Sequence, residues 1–184
     1  MTTEQMRLPN EKTAKEMGLF ELLKEDKAVN QESLLRPGFH ALLMYRLGRW
    51  ATGSPSRRPF LTLAKVLRVL IRNFYGIELY WEADIGRRLT IGHQGAMVIH
   101  QFCTIGNDCV IRQGVTIGSA EDFDEDGPIL GSNVDIGAGA AIIGKVRIGN
   151  NVRIGPNAVV ITDVPNDSTV FAPPSRTISW GAQA

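Results

Sequence analysis

Apolar residues follow two different rhythms along this chain, and the change falls near residue 75. Before it they recur at helical spacing. Met17, Phe20, Leu22, Leu23 and Val29 mark a first helix over 11–27. Phe39, Leu42, Leu43, Leu47 and Trp50 mark a second over 39–50, entered through Arg36-Pro37-Gly38, where Pro suits a helix start. Gly53-Ser54-Pro55-Ser56 breaks the chain again, and 61–75 reads as a further amphipathic helix.

From Ile77 the period becomes six. Ile85-Gly86, Ile91-Gly92, Ile105-Gly106, Ile111 and Ile117-Gly118 form one set. Leu130-Gly131, Ile136-Gly137, Ile142, Ile148-Gly149, Ile154-Gly155 and Val160 continue it six residues apart. A small or apolar residue follows four positions later each time: Val134, Ala140, Val146, Val152, Ala158 and Val164. Two registers in agreement over this length are the hexapeptide signature of a parallel β-helix. Each hexad supplies one short strand and a corner, and three hexads close one coil of a triangular prism. The aliphatic residue points inward and stacks on its equivalent in the next coil, so each coil buries its core only against neighbours. The expected organisation is a helical region over 1–75, a solenoid over 76–170 and a tail over 171–184.

The rhythm fails twice. Ile91 to Ile99 spans eight residues instead of six, and His93 lies inside the break. Ile117 to Leu130 spans thirteen, because Ser119 to Gly127 form an acidic protruding loop. Departures from a rigid repeat are where binding chemistry concentrates.

Composition narrows the remaining choices. The 184 residues carry a net charge of +1, and no dense run of Lys and Arg suggests a nucleic-acid face. The most apolar stretch, 60–75, is interrupted by Lys65, Arg68 and Arg72, which argues against a membrane span. The first residues are polar and of mixed charge, unlike a secretory leader, so a cytoplasmic location is expected. Cys103 and Cys109 lack metal-ligand spacing and fall at the small inward position, as core residues rather than nucleophiles.

Several stretches resemble the serine acetyltransferases. They are Arg36 to Trp50, Ile85-Gly-Arg-Arg-Leu-Thr-Ile-Gly-His93, Gln113 to Gly118, Ile136 to Ala140 and Val164 to Val170. The similarity runs over about 20–178. It implies a left-handed β-helix, a homotrimer with active sites in clefts between subunits, and acetyl-CoA as donor to an acceptor hydroxyl. His93 matches the family's catalytic histidine, and a neutral imidazole suits removal of an alcohol proton near pH 7. The alternative is a corner histidine that only touches a partner subunit. Asp26 resembles a family carboxylate that holds the acceptor, against the plain reading of a solvated helix charge. His100 occupies the Gly position of an Ile-Gly pair, where it lines the cleft or serves as a surface histidine; His40, on the apolar helix, reads as structural.

Two departures bear on the acceptor. The family's Asp before the catalytic His is Gly92 here, so another group must orient the imidazole. The family's Arg-His pair before Pro, which holds the carboxylate of serine, is Asp126-Gly127 before Pro128. Together with Glu121, Asp122, Asp124 and Glu125 this loop repels a carboxylate, so a neutral sugar hydroxyl suits Asp126 better than free serine does. For the donor, the small residues Gly118, Ala138, Gly139, Ala140 and Pro156 permit close approach of a pantetheine arm, and Arg153 and Arg176 are candidates for its phosphates. No metal is expected. A non-catalytic β-helix scaffold is one competing reading; a metal-dependent β-helix enzyme is another, and only His93 and His100 lie in the solenoid to serve it.

Overall fold

A computed structural model describes residues 12–121 and 126–176. It opens with a 3-10 turn, Ala14–Glu16, and continues through α1 (Leu19–Val29), α2 (Pro37–Thr52) and α3 (Arg58–Tyr75). The first expected helix is thus shorter at its start and longer at its end. Thr13 and Glu16 cap the turn reciprocally, and Gly18 takes an extended conformation that separates it from α1. Pro37 sits in the first turn of α2, and Gly76, in the left-handed region, ends α3.

Among the described residues fourteen short strands follow, three to a coil in the first four coils. The first coil holds β1 (Ile77–Leu79), β2 (Asp84–Ile85) and β3 (Thr90–Ile91). The second holds β4 (Met97–Ile99), β5 (Thr104–Ile105) and β6 (Val110–Ile111). The third holds β7 (Thr116–Gly118), β8 (Ile129–Leu130) and β9 (Asp135–Ile136). The fourth holds β10 (Ala141–Ile143), β11 (Arg147–Ile148) and β12 (Arg153–Ile154), and β13 (Val159–Val160) and β14 (Thr169–Val170) begin a fifth. All pairings are parallel and stack equivalent positions, as Ile85 on Ile105 and Ile91 on Ile111. The faces are β1-β4-β7-β10-β13 (face one), β2-β5-β8-β11 (face two) and β3-β6-β9-β12-β14 (face three).

The core is the stack the hexads foretell. Ile85, Ile105, Leu130 and Ile148 line the inside of face two, with Ile91, Ile111, Ile136 and Ile154 along face three, all buried. Cys103 and Cys109 are buried in the same core, and burial pushes both thiols up to about 12. The outward positions differ in degree between faces. Face two presents Asp84, Thr104, Ile129 and Arg147, and face three Thr90, Val110, Asp135, Arg153 and Thr169. Face one presents Glu78 and then Val98, Thr116, Ala141, Ile143 and Val159, with Val159 68% and the following Ile161 67% exposed.

Helices α1 and α2 close the top of the prism through a buried polar network. Arg46 donates to both oxygens of Asp26 (2.8 and 3.3 Å) and to the carbonyls of Ile85 (3.0 Å) and Gly86 (2.6 Å). Tyr45 Oη donates to Ala83 O (2.8 Å) and accepts from Ile85 N (3.0 Å). Asn30 donates to Leu89 O (3.0 Å) and accepts from Ile91 N (3.1 Å). Backbone groups at the open end of a solenoid need such partners.

Candidate active site

The eight-residue break forms the corner between β3 and β4, where faces three and one meet. Both ends of this corner are anchored. Ile91 N is held by Asn30 and Gly92 N donates to Ile111 O (2.9 Å), while Met97 N donates to Gly76 O (2.9 Å). Gly95 adopts φ 113° and Ala96 φ 49°, so the extra residues bulge outward from the ladder. His93 stands on this bulge, exposed to solvent, and no described residue hydrogen-bonds its ring. An accessible imidazole on a rigid corner is free to accept a proton from a bound alcohol.

Below it, along the same edge, the chain is narrow. Gly114 N donates to Gly95 O, Gly139 N to Gln113 O and Asn157 N to Ala138 O, each at 2.9 Å. Ala138 and Gly139 therefore lie under His93, two coils away. Ala140 is also at this corner, but its side chain is fully buried and its carbonyl accepts from Thr116 N, so it packs the core. Arg153 projects from face three beside this edge, exposed, and Arg176 is exposed in the tail.

The other expected residues occupy the opposite border of face one. His100 follows β4 at the corner with face two. Its ring packs against Tyr80 and Phe102, with centroids 5.8 and 5.4 Å away, and its Nδ1 lies 3.3 Å from Ser119 Oγ. Gly118 sits directly beneath it. Asp126, past the long loop, accepts from Lys145 Nζ at 2.7 Å, so its charge is already matched. One protomer thus carries His93 on one border of face one and His100, Gly118 and Asp126 on the other. The loop acids Asp122, Asp124 and Glu125 lie outside the described residues.

Asp26 sits apart from both borders. It is 0% exposed and clamped by Arg46, and burial pushes its carboxyl above the ordinary range while Arg46 opposes that shift. A carboxylate so enclosed braces α1 against α2 and the first coil. His40 is likewise engaged, between Tyr75 Oη (3.1 Å) and Leu34 O (2.6 Å). One carboxylate that the sequence pattern does not single out is Glu78, the acid on the outer surface of face one, which accepts from Tyr80 Oη at 2.6 Å. Its one signal is an outward position between the buried Ile77 and Leu79.

Residues 127–162 match the bacterial transferase hexapeptide family (six repeats). The serine acetyltransferase of Helicobacter pylori is 40% identical over 162 residues, covering 86% of this chain and 92% of the relative. The chain belongs to the serine acetyltransferase family. The Bacillus subtilis serine acetyltransferase is 34% identical, over 86% of this chain and 77% of its own length. Among solved structures, the Neisseria gonorrhoeae serine acetyltransferase in complex with serine superimposes with a TM-score of 0.73 at 28% identity, covering 86% of this chain and 68% of the other. Isoform 3 from Entamoeba histolytica, in complex with cysteine, gives 0.75 at 26% identity, with 89% of this chain covered; the chain spans 62% of that protein's length. The solenoid is accordingly the left-handed β-helix of the serine acetyltransferases.

Against that family the two departures take on a physical shape. A Cβ placed on Gly92 would meet nothing closer than Arg112 Cγ at 3.7 Å and Ile111 O at 3.8 Å, so the missing Asp is not excluded by packing. A Cβ on Gly127 would meet Phe102 O at 2.6 Å. The chain passes so close to the second coil there that a His at 127 would require the backbone to shift.

Proposed function

We infer that this protein transfers an acetyl group from acetyl-CoA to the hydroxyl of serine, with His93 as general base. The observation that carries the reading is an exposed imidazole, at the outward bulge between the first two coils, above a ladder of small residues in a serine acetyltransferase-family chain. His93 takes the hydroxyl proton as the alkoxide attacks the thioester carbonyl. The tetrahedral adduct then expels the thiolate, which recovers the proton from the imidazolium, and no covalent enzyme intermediate is required. Pantetheine would lie along Ala138 and Gly139, and Arg153 and Arg176 would meet its phosphates.

The two borders of face one suggest how the site is completed. A heterologous contact repeated around an axis sets one patch against a different patch of the next copy and closes a ring. Three copies joined across the apolar face one would bring His93 of one protomer toward His100, Gly118 and Asp126 of its neighbour. The homotrimer is therefore part of the proposal, as is a cytoplasmic setting. Among the described residues no helix is long and apolar enough to cross a membrane.

A sugar hydroxyl is the second reading of the acceptor. It is favoured by the close backbone at Gly127, which would have to shift to admit a basic side chain that would hold a carboxylate. The pairing of Asp126 with Lys145 weakens the repulsion that would otherwise count against serine. Release of free thiol from acetyl-CoA, measured against serine and a panel of monosaccharides, separates the two. Turnover with serine at least about tenfold above any sugar is expected; the reverse ranking would assign the sugar.

A further inference from the structure

A concavity unrelated to either border of face one lies on the helical side of the first coil. The 3-10 turn, α1, α2, the 53–57 connection and β2 line a half-open hollow of about 440 Å³ there, a volume typical of small-molecule pockets. Its walls are apolar at Met17, Leu19, Leu22 and the Trp50 ring. Its charged rim is one-sided. Arg46 reaches it but is matched by Asp26, and among the described residues that line the hollow Asp84 is the one acid facing Lys15, Arg49 and Arg57.

The three cations are held differently. Lys15 Nζ meets Asp84 at 2.8 Å, whereas Arg49 stands 3.6 Å from the same carboxylate and reaches the carbonyls of Trp81 and Glu82 only at 3.4 Å. Arg57 has no carboxylate partner among the described residues. Its guanidinium donates to Trp50 O (3.1 Å) and lies over the Trp50 ring, 4.4 Å from the centroid. One guanidinium at the edge of an apolar hollow thus has no acid among the described residues, and the other shares a carboxylate 3.6 Å away with Lys15. Guanidinium groups so placed are suited to bidentate contact with phosphate or carboxylate oxygens.

We propose that this hollow is a second ligand site, taking a small molecule that joins an anionic group to a flat apolar body, with the anion on Arg49 and Arg57 and the body against Trp50. It stands over β2 on face two, whereas His93 stands where faces three and one meet, so occupancy does not compete with acetyl transfer for space.

Calorimetric titration of the full chain with 1-naphthyl phosphate, and in parallel with 1-naphthol, tests the assignment. The phosphate should bind at one equivalent per protomer and at least about tenfold tighter than the neutral alcohol. Arg49→Gln and Arg57→Gln should each weaken it about tenfold, with thermal midpoints confirming that the variants fold. Saturating coenzyme A should leave the affinity unchanged. On the unaltered protein, raised ionic strength should weaken the phosphate and not the alcohol. Equal affinity for the two compounds, unaffected binding in both variants, insensitivity to salt, or displacement by coenzyme A would each overturn the proposal.

Discussion

At the scale of single residues, the solenoid's glycines divide into open and closed positions. Gly92 has free space around it, while a Cβ on Gly106 would sit 2.5 Å from the backbone of Gly131. Gly92→Asp should therefore fold normally and set a carboxylate beside His93. An adjacent negative charge favours the imidazolium, so the acidic limb of the pH–rate profile should move to higher pH. An unmoved limb would show that the added carboxylate does not reach the ring. Gly106→Ala should instead cost about 1–3 kcal/mol in urea unfolding, through overpacking between coils. The hexad register announces both glycines alike. What distinguishes them is the distance to the next coil, which no linear pattern contains.

At the scale of elements, the helices are bound to the solenoid both by an apolar seam, in which Leu42, Met44, Ala64 and Ile71 share one core with Ile77, Leu79 and Ile85, and by buried polar groups. Asp26→Ala leaves Arg46 charged and buried, and should destabilise the fold by about 3–5 kcal/mol. The paired replacement Asp26→Leu with Arg46→Met removes both charges and should recover most of that loss, though Arg46 also serves the Ile85 and Gly86 carbonyls. If the double variant is no more stable than the single, those carbonyl contacts outweigh the ion pair. The three helices were legible from apolar spacing, and the start of the first moved because Thr13 caps a separate 3-10 turn and Gly18 is the N-cap of α1. The burial of Asp26 was not legible. In sequence it is one charge among Glu21, Glu25 and Lys27, and nothing in the linear pattern announces the approach of Arg46 from α2 that buries it.

At the scale of the whole molecule, the six-residue period carried the architecture because each hexad repeats one local solution. Its two failures marked the two borders of face one that carry the candidate chemistry. That these borders lie apart on one protomer was hidden, since it follows from how hexads distribute over three faces. If face one is the contact between copies, Val159→Asp should convert trimers to monomers in sedimentation velocity. The buried thiols supply a prediction about the fold as a unit. Each keeps its proton to about pH 12 when folded and releases it near 9.0, the ordinary thiol value, when the chain unfolds. The unfolded chain therefore binds fewer protons in that window. The thiols' contribution to stability is complete below about pH 9 and falls as pH rises toward 12, by about 1.4 kcal/mol per pH unit for each thiol. Cys103→Ala and Cys109→Ala should each flatten that decline in denaturant titrations. Catalysis is assigned to the corner imidazole, and steady-state acetyl transfer by His93→Ala tests that role most directly. The variant's kcat for serine should fall by about 10²–10⁴-fold with acetyl-CoA still bound; turnover within a few-fold of the unaltered protein would contradict it.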